Sequence, residues 1–272
     1  MSIRIAVAGA TGWTGSAVVR GILRAPDLAL AAAVARRAAG QDAGQAAGLA
    51  TAGVTLVATV AEALAASVDV LVDYTAPAAV KGHVLEALRR GVSVVVGTSG
   101  MTAADYGEID AAARAAGRGV IAAGNFSLTA ALAKHFALMA SRHIRSWEIV
   151  DYGDALKVDA PSGTVRELAE ELGAAGPATL QVPIGETLGA PEARGAEIGG
   201  SRVHSLRLPG YVLAFETVFG LPDERLTIRH DAGAGAEPYV AGTLLAVRRV
   251  GGVTGVVRGL DHLLFEDGPA PE

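Results

Sequence analysis

The stretch IRIAVAGATGWTG, residues 3–15, decides the fold. It begins with a run of β-branched residues and alanine, and the segment TGSAVVRGILRA, residues 14–25, continues with apolar residues at helical spacing. This pattern predicts a strand, a glycine-rich turn and a helix. In such a turn, glycines let backbone N–H groups and the helix N-terminus approach a pyrophosphate closely. A strand–turn–helix junction that needs glycine only for its tight turn would show the same spacing.

The same unit repeats through the first half of the chain. Further strands are predicted at residues 28–35, 54–58, 69–75, 92–100 and 119–125, and further helices at residues 60–66, 79–91 and 105–117. Strands that alternate with helices of this length are typical of a parallel sheet covered on both faces. We therefore predict an α/β fold with an N-terminal Rossmann dinucleotide-binding domain.

Beyond Asn125 the alternation stops. The sequence predicts helices at residues 127–143, 162–173 and 238–250, strands at residues 146–152, 201–210, 211–220 and 224–233, a loop at residues 174–200 and a short C-terminal tail. Successive alternating strands indicate an antiparallel or mixed sheet. The predicted domains are a Rossmann domain of residues 1–126 and 237–272, and a second, smaller α+β domain of residues 127–236 built on that mixed sheet.

Composition excludes several classes of function. The 272 residues carry a formal net charge of -5, include 51% hydrophobic residues and contain no cysteine. Disulfides, thiolate nucleophiles and zinc sites of the cysteine type are therefore excluded. The acidic balance argues against a nucleic-acid partner. Because no apolar run reaches the roughly 18 residues of a membrane span and the chain enters a strand at once instead of a signal peptide, we expect a cytoplasmic protein without a membrane partner.

The end of the second predicted strand bears on the choice of cofactor. A loop that prefers NAD has an acidic residue about 20 residues after its glycines, whereas an arginine there suits the 2′-phosphate of NADP. This chain has Ala35 at that position, followed by Arg36 and Arg37. NADPH is therefore favoured, and NADH is also possible. Two arginines that only solvate the end of a strand would give the same sequence.

Three further strand ends supply small residues to the same predicted edge of the sheet. They are DYTAP, residues 73–77, GTSGM, residues 97–101, and AAGNFS, residues 122–127. Ligands of open α/β sheets lie beyond the carboxyl ends of the strands, so these turns together predict a cofactor cleft in which Tyr74 or Phe126 could pack on the nicotinamide ring. Each turn alone is also typical of an ordinary connection. The predicted cofactor-binding residues are Gly9, Ala10, Thr11, Gly12, Trp13, Thr14, Gly15, Arg36, Arg37, Tyr74, Gly97, Thr98, Ser99, Ala123, Gly124, Asn125 and Phe126.

The stretch DYGDALKVDAPSGT, residues 151–164, joins a predicted strand to a helix. Backbone N–H groups and the positive end of the helix dipole at Ser162, Gly163 and Thr164 suit a substrate carboxylate or phosphate. Lys157 could add a positive charge or donate a proton. A structural interpretation stays equally open, with Ser162 as a helix cap and Lys157 as a surface charge paired with Asp154. No histidine pair has the i, i+4 spacing of a helical metal site, so no metal is expected.

Together, the motifs GATGWTG, VDYTAP, VVGTSG, AAGNFS and KVDAPSGT, in this order, resemble the 4-hydroxy-tetrahydrodipicolinate reductase family of lysine and diaminopimelate biosynthesis. The resemblance covers nearly the whole chain. It implies NAD(P)H-dependent reduction of a cyclic, dicarboxylated imine-type substrate, with a Rossmann domain and a smaller domain that binds substrate and assembles a homotetramer or homodimer. It implies that residues 9–14 hold the pyrophosphate and that Arg36 contacts the NADPH phosphate. Lys157 would then be the catalytic lysine, with Gly163 and Thr164 on a substrate carboxylate.

One departure from the family concerns the proton donor. The family carries a histidine pair in a pattern like E-x-H-H-x-x-K, where this chain has Gly153 and Asp154. Glycine has no side-chain proton to donate, and an aspartate with its usual pKa of about 3.9 is a poor acid at neutral pH unless burial raises it. The run RHDAGAGAEPY, residues 229–239, also has small residues where the family implies a more basic, hydroxyl-rich run.

These departures favour an NADPH-dependent reductase of a C=N bond with an altered imine or iminium substrate. Lys157, Asp154, Tyr152 or a water would supply the proton, and His230, at a predicted strand end, is the first histidine to consider as a replacement donor. The alternatives are a genuine 4-hydroxy-tetrahydrodipicolinate reductase, an amine dehydrogenase that forms its imine from a ketone and ammonia, and a non-catalytic NADPH-binding sensor. The intact DAPSGT motif argues against the sensor, which has no need to bind a substrate carboxylate.

Overall fold

The structure, a computed structural model, describes residues 2–265. The chain forms two compact units: the first runs to Leu128 and resumes at Ala236, and the second comprises Thr129–Gly235. Residues 266–272, which the sequence assigns to the Rossmann domain, lie outside the described residues.

Strands and helices are numbered along the chain. The strands are β1 (Ile3–Ala8), β2 (Leu28–Val34), β3 (Leu56–Val57), β4 (Val70–Asp73), β5 (Ser93–Val96), β6 (Gly119–Ala122), β7 (Trp147–Gly153), β8 (Ala196–Ile198), β9 (Ser201–Arg207), β10 (Leu213–Leu221), β11 (Glu224–Ala232) and β12 (Gly255–Arg258). The α-helices are α1 (Trp13–Arg24), α2 (Ala43–Ala46), α3 (Val60–Ala63), α4 (Pro77–Arg89), α5 (Ala103–Ala116), α6 (Leu128–Ser141), α7 (Gly163–Ala174), α8 (Glu237–Arg249) and α9 (Asp261–Phe265). Short 3₁₀ turns lie at Arg36–Ala38, Ile184–Glu186, Pro191–Arg194 and Val250–Gly252.

The first unit contains a seven-stranded parallel sheet in the order β12-β6-β5-β4-β1-β2-β3. This confirms the predicted α/β class and Rossmann arrangement. From sequence alone the sheet ends at its sixth strand, but part of the predicted tail forms β12, which pairs in parallel with β6 from Gly255 opposite Gly119 to Arg258 opposite Ala122. With a length of 4 residues, β12 is too short for its periodicity to indicate a strand.

Apolar side chains bury the central strands of this sheet. All residues of β4 and β5 are buried. Helices α4 and α5 contribute Val84, Leu88 and Ile109 to the apolar core on the sheet. Strands covered on both faces show no alternation of apolar and polar residues. Accordingly, β4 (VLVD) is apolar except for its last residue, and β5 (SVVV) is apolar except for its first.

The turn between β1 and α1 requires glycine at two positions. Gly9 has φ +82°, a left-handed conformation that side chains rarely adopt, and a Cβ there would overlap the carbonyl of Tyr74. A Cβ on Gly15 would overlap the carbonyl of Gly9. The glycines therefore allow the first helix, the first strand and the end of β4 to approach within backbone contact, which a plain tight turn would not need.

Gly15→Ala is expected to lower the free energy of unfolding by about 1–3 kcal/mol, since the added methyl group meets backbone that must shift. Gly107→Ala is the matched control, because Gly107 also lies in a helix but has open space around it. That substitution should raise the free energy of unfolding by roughly 0.5–1 kcal/mol. Urea unfolding measures both; equal stability of the two variants would contradict the close approach at Gly15.

The second unit contains a five-stranded mixed sheet in the order β11-β10-β7-β9-β8. The β7–β9 pair is parallel and the other pairs are antiparallel. The buried residues Trp147, Ile149, Leu168 and Phe219 form its core with α6 and α7. The predicted mixed sheet is therefore confirmed. The predicted loop, residues 174–200, also contains two 3₁₀ turns and β8, whose 3 residues do not stand out in a Gly- and Pro-rich sequence.

A buried lysine joins α6 to α7. Nζ of Lys134 in α6 lies 2.9 Å from Oε1 of Glu167 and 2.8 Å from Oε1 of Glu171, both in α7. Removing one partner of a buried ion pair costs about 3–5 kcal/mol, because the remaining charge is left uncompensated. These ion pairs therefore hold α7, the helix that begins at the SGT motif, in a defined position on the sheet.

Candidate active site

The first turn of α1 is suited to an anion. Gly12 is the N-cap residue, and the described residues include no side chain that caps this helix and no acidic residue in its first turn. The N–H of Gly12 donates to the carbonyl of Gly9 at 2.9 Å, which closes the turn. Trp13, at the first helical position, is 55% exposed. A helix N-terminus without a side-chain cap, approached by glycine backbone, fits the pyrophosphate of a dinucleotide.

Asp73, at the end of β4, organises the neighbouring strand ends. It is 0% exposed. Its Oδ1 accepts hydrogen bonds from the N–H of Thr75 at 3.0 Å, from the hydroxyl of Thr75 at 2.7 Å and from the hydroxyl of Thr98 at 2.7 Å. Its Oδ2 lies 2.8 Å from Nδ1 of His83. Thr98 is among the predicted cofactor-binding residues and Asp73 is not, although an acidic residue at the end of an apolar strand indicates such a role.

Two aromatic residues of this edge, Tyr74 and Phe126, pack against each other. The ring of Tyr74 lies over Gly97, where a Cβ would overlap it, and its hydroxyl is 2.7 Å from the hydroxyl of Thr243. Burial raises the pKa of Tyr74. Phe126 is 1% exposed and packs edge-on against Tyr74, with ring centroids 6.3 Å apart. The prediction that Phe126 packs on a nicotinamide ring is therefore wrong, because neither face of its ring is accessible; Phe126 can offer a ligand only its backbone.

The sheet order brings the predicted cofactor-binding segments to one edge. Strands β6, β5, β4, β1 and β2 are consecutive neighbours and parallel, so the segments that follow them leave the sheet on the same side. Ser99 and Gly124 are exposed there, Thr98 and Ala123 are buried. The Asn125 side chain accepts from the N–H of Ser127 at 2.8 Å, which shapes the turn after β6.

Arg36 and Arg37 follow β2 at this edge. They begin a 3₁₀ turn, and both are exposed. Within residues 2–265 neither side chain is held by an ion pair. Their guanidinium groups are thus available to an anionic ligand.

In the second unit, Lys157 pairs with an aspartate of its own motif. Its Nζ lies 2.6 Å from Oδ1 and 2.8 Å from Oδ2 of Asp159. Asp154 instead accepts a hydrogen bond from the N–H of Leu156 at 2.8 Å. The pairing of Lys157 with Asp154, considered as the structural interpretation, is therefore wrong, since the turn at Asp154 directs that carboxylate to its own backbone. A proton-donor role for Asp154 stays a prediction.

Asp151, 1% exposed, lies at the centre of the network around this loop. Its Oδ2 accepts from the N–H of Ser162 at 2.9 Å, and its Oδ1 accepts from the hydroxyl of Ser162 at 2.8 Å. The hydroxyl of Ser205 and Nη2 of Arg207 also donate to Oδ2, at 3.2 Å and 2.7 Å. Asp151, Ser205 and Arg207 are absent from the candidates named by sequence, because their contacts join residues far apart in the chain.

Ser162 is therefore a structural residue. It is buried, and it is the N-cap of α7, with its hydroxyl oxygen 3.4 Å from the N–H of Val165. Its N–H and hydroxyl both donate to Asp151, and binding of substrate by Ser162 stays a prediction. Gly163 and Thr164 begin the helix, with Gly163 exposed and Thr164 partly so. Of the predicted anion site, these two positions present the helix N-terminus to a ligand.

Two further candidate proton donors, Tyr152 and His230, have hydrogen-bond partners within the second unit. The hydroxyl of Tyr152 donates to Oε1 of Glu216 at 2.9 Å, and burial followed by that carboxylate raises the pKa of Tyr152. His230 is buried against the ring of Phe215, with Nε2 3.0 Å from the hydroxyl of Thr129. Tyr152 and His230 thus both have partners within the second unit, and a proton-donor role for either stays a prediction.

Acidic pH should destabilise the protein through His230. Burial lowers the pKa of His230, against a weaker opposing effect of Asp231. A histidine with a lowered pKa stabilises the folded state above its ordinary value of 6.5 and loses that contribution as the pH falls through its folded value, because the unfolded chain takes up the proton first. Wild type should therefore lose more unfolding free energy than His230→Gln between about pH 7.5 and pH 5. Identical losses in urea titrations would contradict this.

No metal centre or membrane-spanning helix is found in the described part of the chain. Among residues 2–265, no group of three or more His, Asp and Glu side chains is placed to hold a metal ion. None of the described helices is long and apolar enough to cross a membrane.

Fold and site contacts define the class: an oxidoreductase with a Rossmann unit and a mixed-sheet unit. The family model "Dihydrodipicolinate reductase, N-terminus" matches residues 3–126, and "Dihydrodipicolinate reductase, C-terminus" matches residues 125–264. The chain belongs to the dihydrodipicolinate reductase family. The resemblance found in the sequence is confirmed, and with it the assignment to enzymes that reduce C=N groups with a nicotinamide cofactor.

Individual relatives agree with this assignment. The 4-hydroxy-tetrahydrodipicolinate reductase of Moorella thermoacetica is 40% identical over 264 residues, which covers 97% of this chain and 98% of that protein. The dipicolinate-bound dihydrodipicolinate reductase of Paenisporosarcina sp. TG-14 superposes with a TM-score of 0.81 at 28% identity, covering 96% of this chain and 99% of that one. An amine dehydrogenase from Mycobacterium smegmatis has a TM-score of 0.67 at 19% identity, covering 96% of each chain. That likeness shows a shared fold alone.

Proposed function

We propose that the protein is a 4-hydroxy-tetrahydrodipicolinate reductase of lysine and diaminopimelate biosynthesis that uses NADPH. The observation that carries this proposal is the intact K-x-D-A-P-S-G-T element, residues 157–164, in a chain that aligns with such reductases over 97% of its length. In the structure this element places a paired lysine and an accessible helix N-terminus in one loop. Relatives with that name support the family's ordinary reaction better than the altered substrate favoured by the sequence alone.

In this proposal the chain's own residues bind, orient and protonate. Bound NADPH supplies the hydride that reduces the C=N carbon. The glycine turn, residues 9–15, holds its pyrophosphate, and the exposed ends of β5 and β6 hold the nicotinamide half. N–H groups at Gly163 and Thr164 bind a substrate carboxylate. The ammonium of Lys157 attracts the anionic substrate and donates a proton from Nζ, as a positioned general acid does.

An altered substrate is the second candidate, and one observation favours it. Gly153 and Asp154 occupy the positions where the resemblance implies a histidine pair, and His230, the first replacement considered, has its Nε2 3.0 Å from the hydroxyl of Thr129. An imine that is already protonated in solution needs no strong enzymic acid. An amine dehydrogenase has only the shared fold in its favour, and membership in a family of reductases argues against a sensor. We infer a homotetramer or homodimer in the cytoplasm from the same resemblance.

A steady-state assay distinguishes the two candidates. Purified protein with NADPH and enzymatically prepared 4-hydroxy-tetrahydrodipicolinate should turn over at about 1 per second or faster, the usual range for an enzyme acting on its own substrate. Lys157→Ala should lower kcat by roughly 10²–10⁴, the usual contribution of a positioned acid. Absence of turnover with this substrate, together with reduction of another cyclic imine, would establish the altered-substrate reading instead.

Arg36→Ala tests the cofactor preference. The substitution should raise the KM for NADPH about tenfold or more and leave the KM for NADH nearly unchanged, since one charged hydrogen bond is worth about 1.5–3 kcal/mol and only NADPH carries the 2′-phosphate. Arg24→Ala, an exposed arginine in the last turn of α1, is the control for loss of a positive charge on the same unit. If both cofactors were affected alike, Arg36 would not contact the 2′-phosphate.

A further inference from the structure

Gly153 leaves room that two long side chains fill. It is the last residue of β7, and in the parallel register with β9 it lies opposite Arg207. A Cβ on Gly153 would lie 3.0 Å from Cδ of Lys157 and 3.2 Å from Cδ and Cζ of Arg207. Contacts in this range are tighter than nine in ten real Cβ contacts, so a neighbouring side chain would have to move by a few tenths of an ångström. Lys157 and Arg207 therefore both pass over the one position of β7 that has no side chain.

Arg207 is fixed on one side and holds the lysine motif on the other. Its Nη2 donates to Oδ2 of the buried Asp151 at 2.7 Å and to the backbone carbonyl of Asp159 at 2.7 Å. Its Nε lies 3.3 Å from the same carbonyl. The planar guanidinium can make these bonds together because its donors point in fixed directions, which an ammonium group cannot imitate.

Asp159 contacts both Arg207 and Lys157, and so links the two side chains. Its backbone carbonyl accepts from Arg207, while its carboxylate contacts Nζ of Lys157 through both oxygens. Burial alone would raise the pKa of Asp159, but the hydrogen bond from Lys157 and its charge outweigh burial, so the pKa lies below the ordinary value. At neutral pH Asp159 is therefore an anion, and its carboxylate fixes the direction of the Lys157 side chain.

We propose that Arg207 is a positioning residue for Lys157, that it acts through Asp159, and that the arrangement requires glycine at position 153. The proposal rests on the proposed function, because it assumes that Lys157 serves the reaction. The proposal also accounts for the absence of a histidine at position 153. The space beside this end of β7 is occupied by the side chain of Lys157 and by the guanidinium of Arg207, which binds the carbonyl of Asp159. A side chain at position 153 would push the stem of Lys157 or of Arg207 aside and so alter the contact between Lys157 and Asp159.

The first test compares two glycine-to-alanine substitutions in strands of the same unit. Gly153→Ala should lower kcat about tenfold or more with a smaller change in KM, the result expected when a catalytic group is misplaced by a fraction of a bond length. Gly220→Ala in β10, where the added methyl group meets open space, should leave kcat and KM unchanged. Neither variant should have a thermal midpoint below that of wild type. Wild-type kinetics in Gly153→Ala would overturn the proposal.

The second test asks whether Arg207 acts through the lysine. Arg207→Lys and Asp159→Asn should each lower kcat about tenfold to a hundredfold, yet neither should lower it further in a Lys157→Met background, since residues acting through one group are not additive. Asp159 is half exposed, so Asp159→Asn keeps the test open if Arg207→Lys does not fold. Multiplicative losses in the double variants would mean a general structural role and overturn the proposal.

Crystal structures separate failure of this inference from failure of the proposed function. In Gly153→Ala, Nζ of Lys157 should no longer contact the carboxylate of Asp159, whereas in Gly220→Ala the contact should persist. This readout needs no substrate, so it holds even if wild type does not reduce 4-hydroxy-tetrahydrodipicolinate. An unchanged Lys157–Asp159 pair in Gly153→Ala would refute the positioning role whatever the substrate is.

Discussion

The candidate site depends on one buried carboxylate, that of Asp151 at the end of β7. Burying an ionised carboxylate is costly unless hydrogen bonds and an opposite charge compensate it. Here the compensation comes from Ser162, which begins α7, and from Ser205 and Arg207 on β9. The loop that carries Lys157 is therefore tied at both ends to the same charge. Removing any of these partners would leave the buried charge of Asp151 less well compensated. The conformation of the loop and the stability of the second unit are therefore linked.

The first unit also contains a buried carboxylate, that of Asp73, whose burial is compensated by hydrogen bonds. Asp73 also ends an apolar strand, is fully buried and is compensated by groups from its own turn and from the neighbouring strand end. Each carboxylate accepts hydrogen bonds from short polar side chains and backbone N–H groups, which leaves the turn with little freedom. This gives loops built from small, weakly packing residues the rigidity that a binding site needs.

Gly153 and Asp154, which stand where the resemblance implies a histidine pair, bear on packing as well as on chemistry. A histidine at position 153 would compete for space with the stems of Lys157 and Arg207, which lie over the glycine. The chain thus combines an unusual residue at the strand end with a lysine held by an adjacent aspartate. The chain has the fold of its family and the KVDAPSGT motif, and within that motif Asp159 is the partner of Lys157.

What the sequence determined by itself depends on local patterns. The βαβ alternation, the glycine turn at residues 9–15 and the KVDAPSGT motif indicated the α/β class, the cofactor edge and the family, because periodicity, glycine spacing and motif order are properties of neighbouring residues. Only the tertiary structure decided which side chains contact one another. The contact between Arg207 and Asp151 joins residues 56 apart, and the strand β12 completes a sheet begun near the N-terminus. The burial of Phe126 and the commitment of Ser162 to Asp151 follow from such long-range register, which no local pattern encodes.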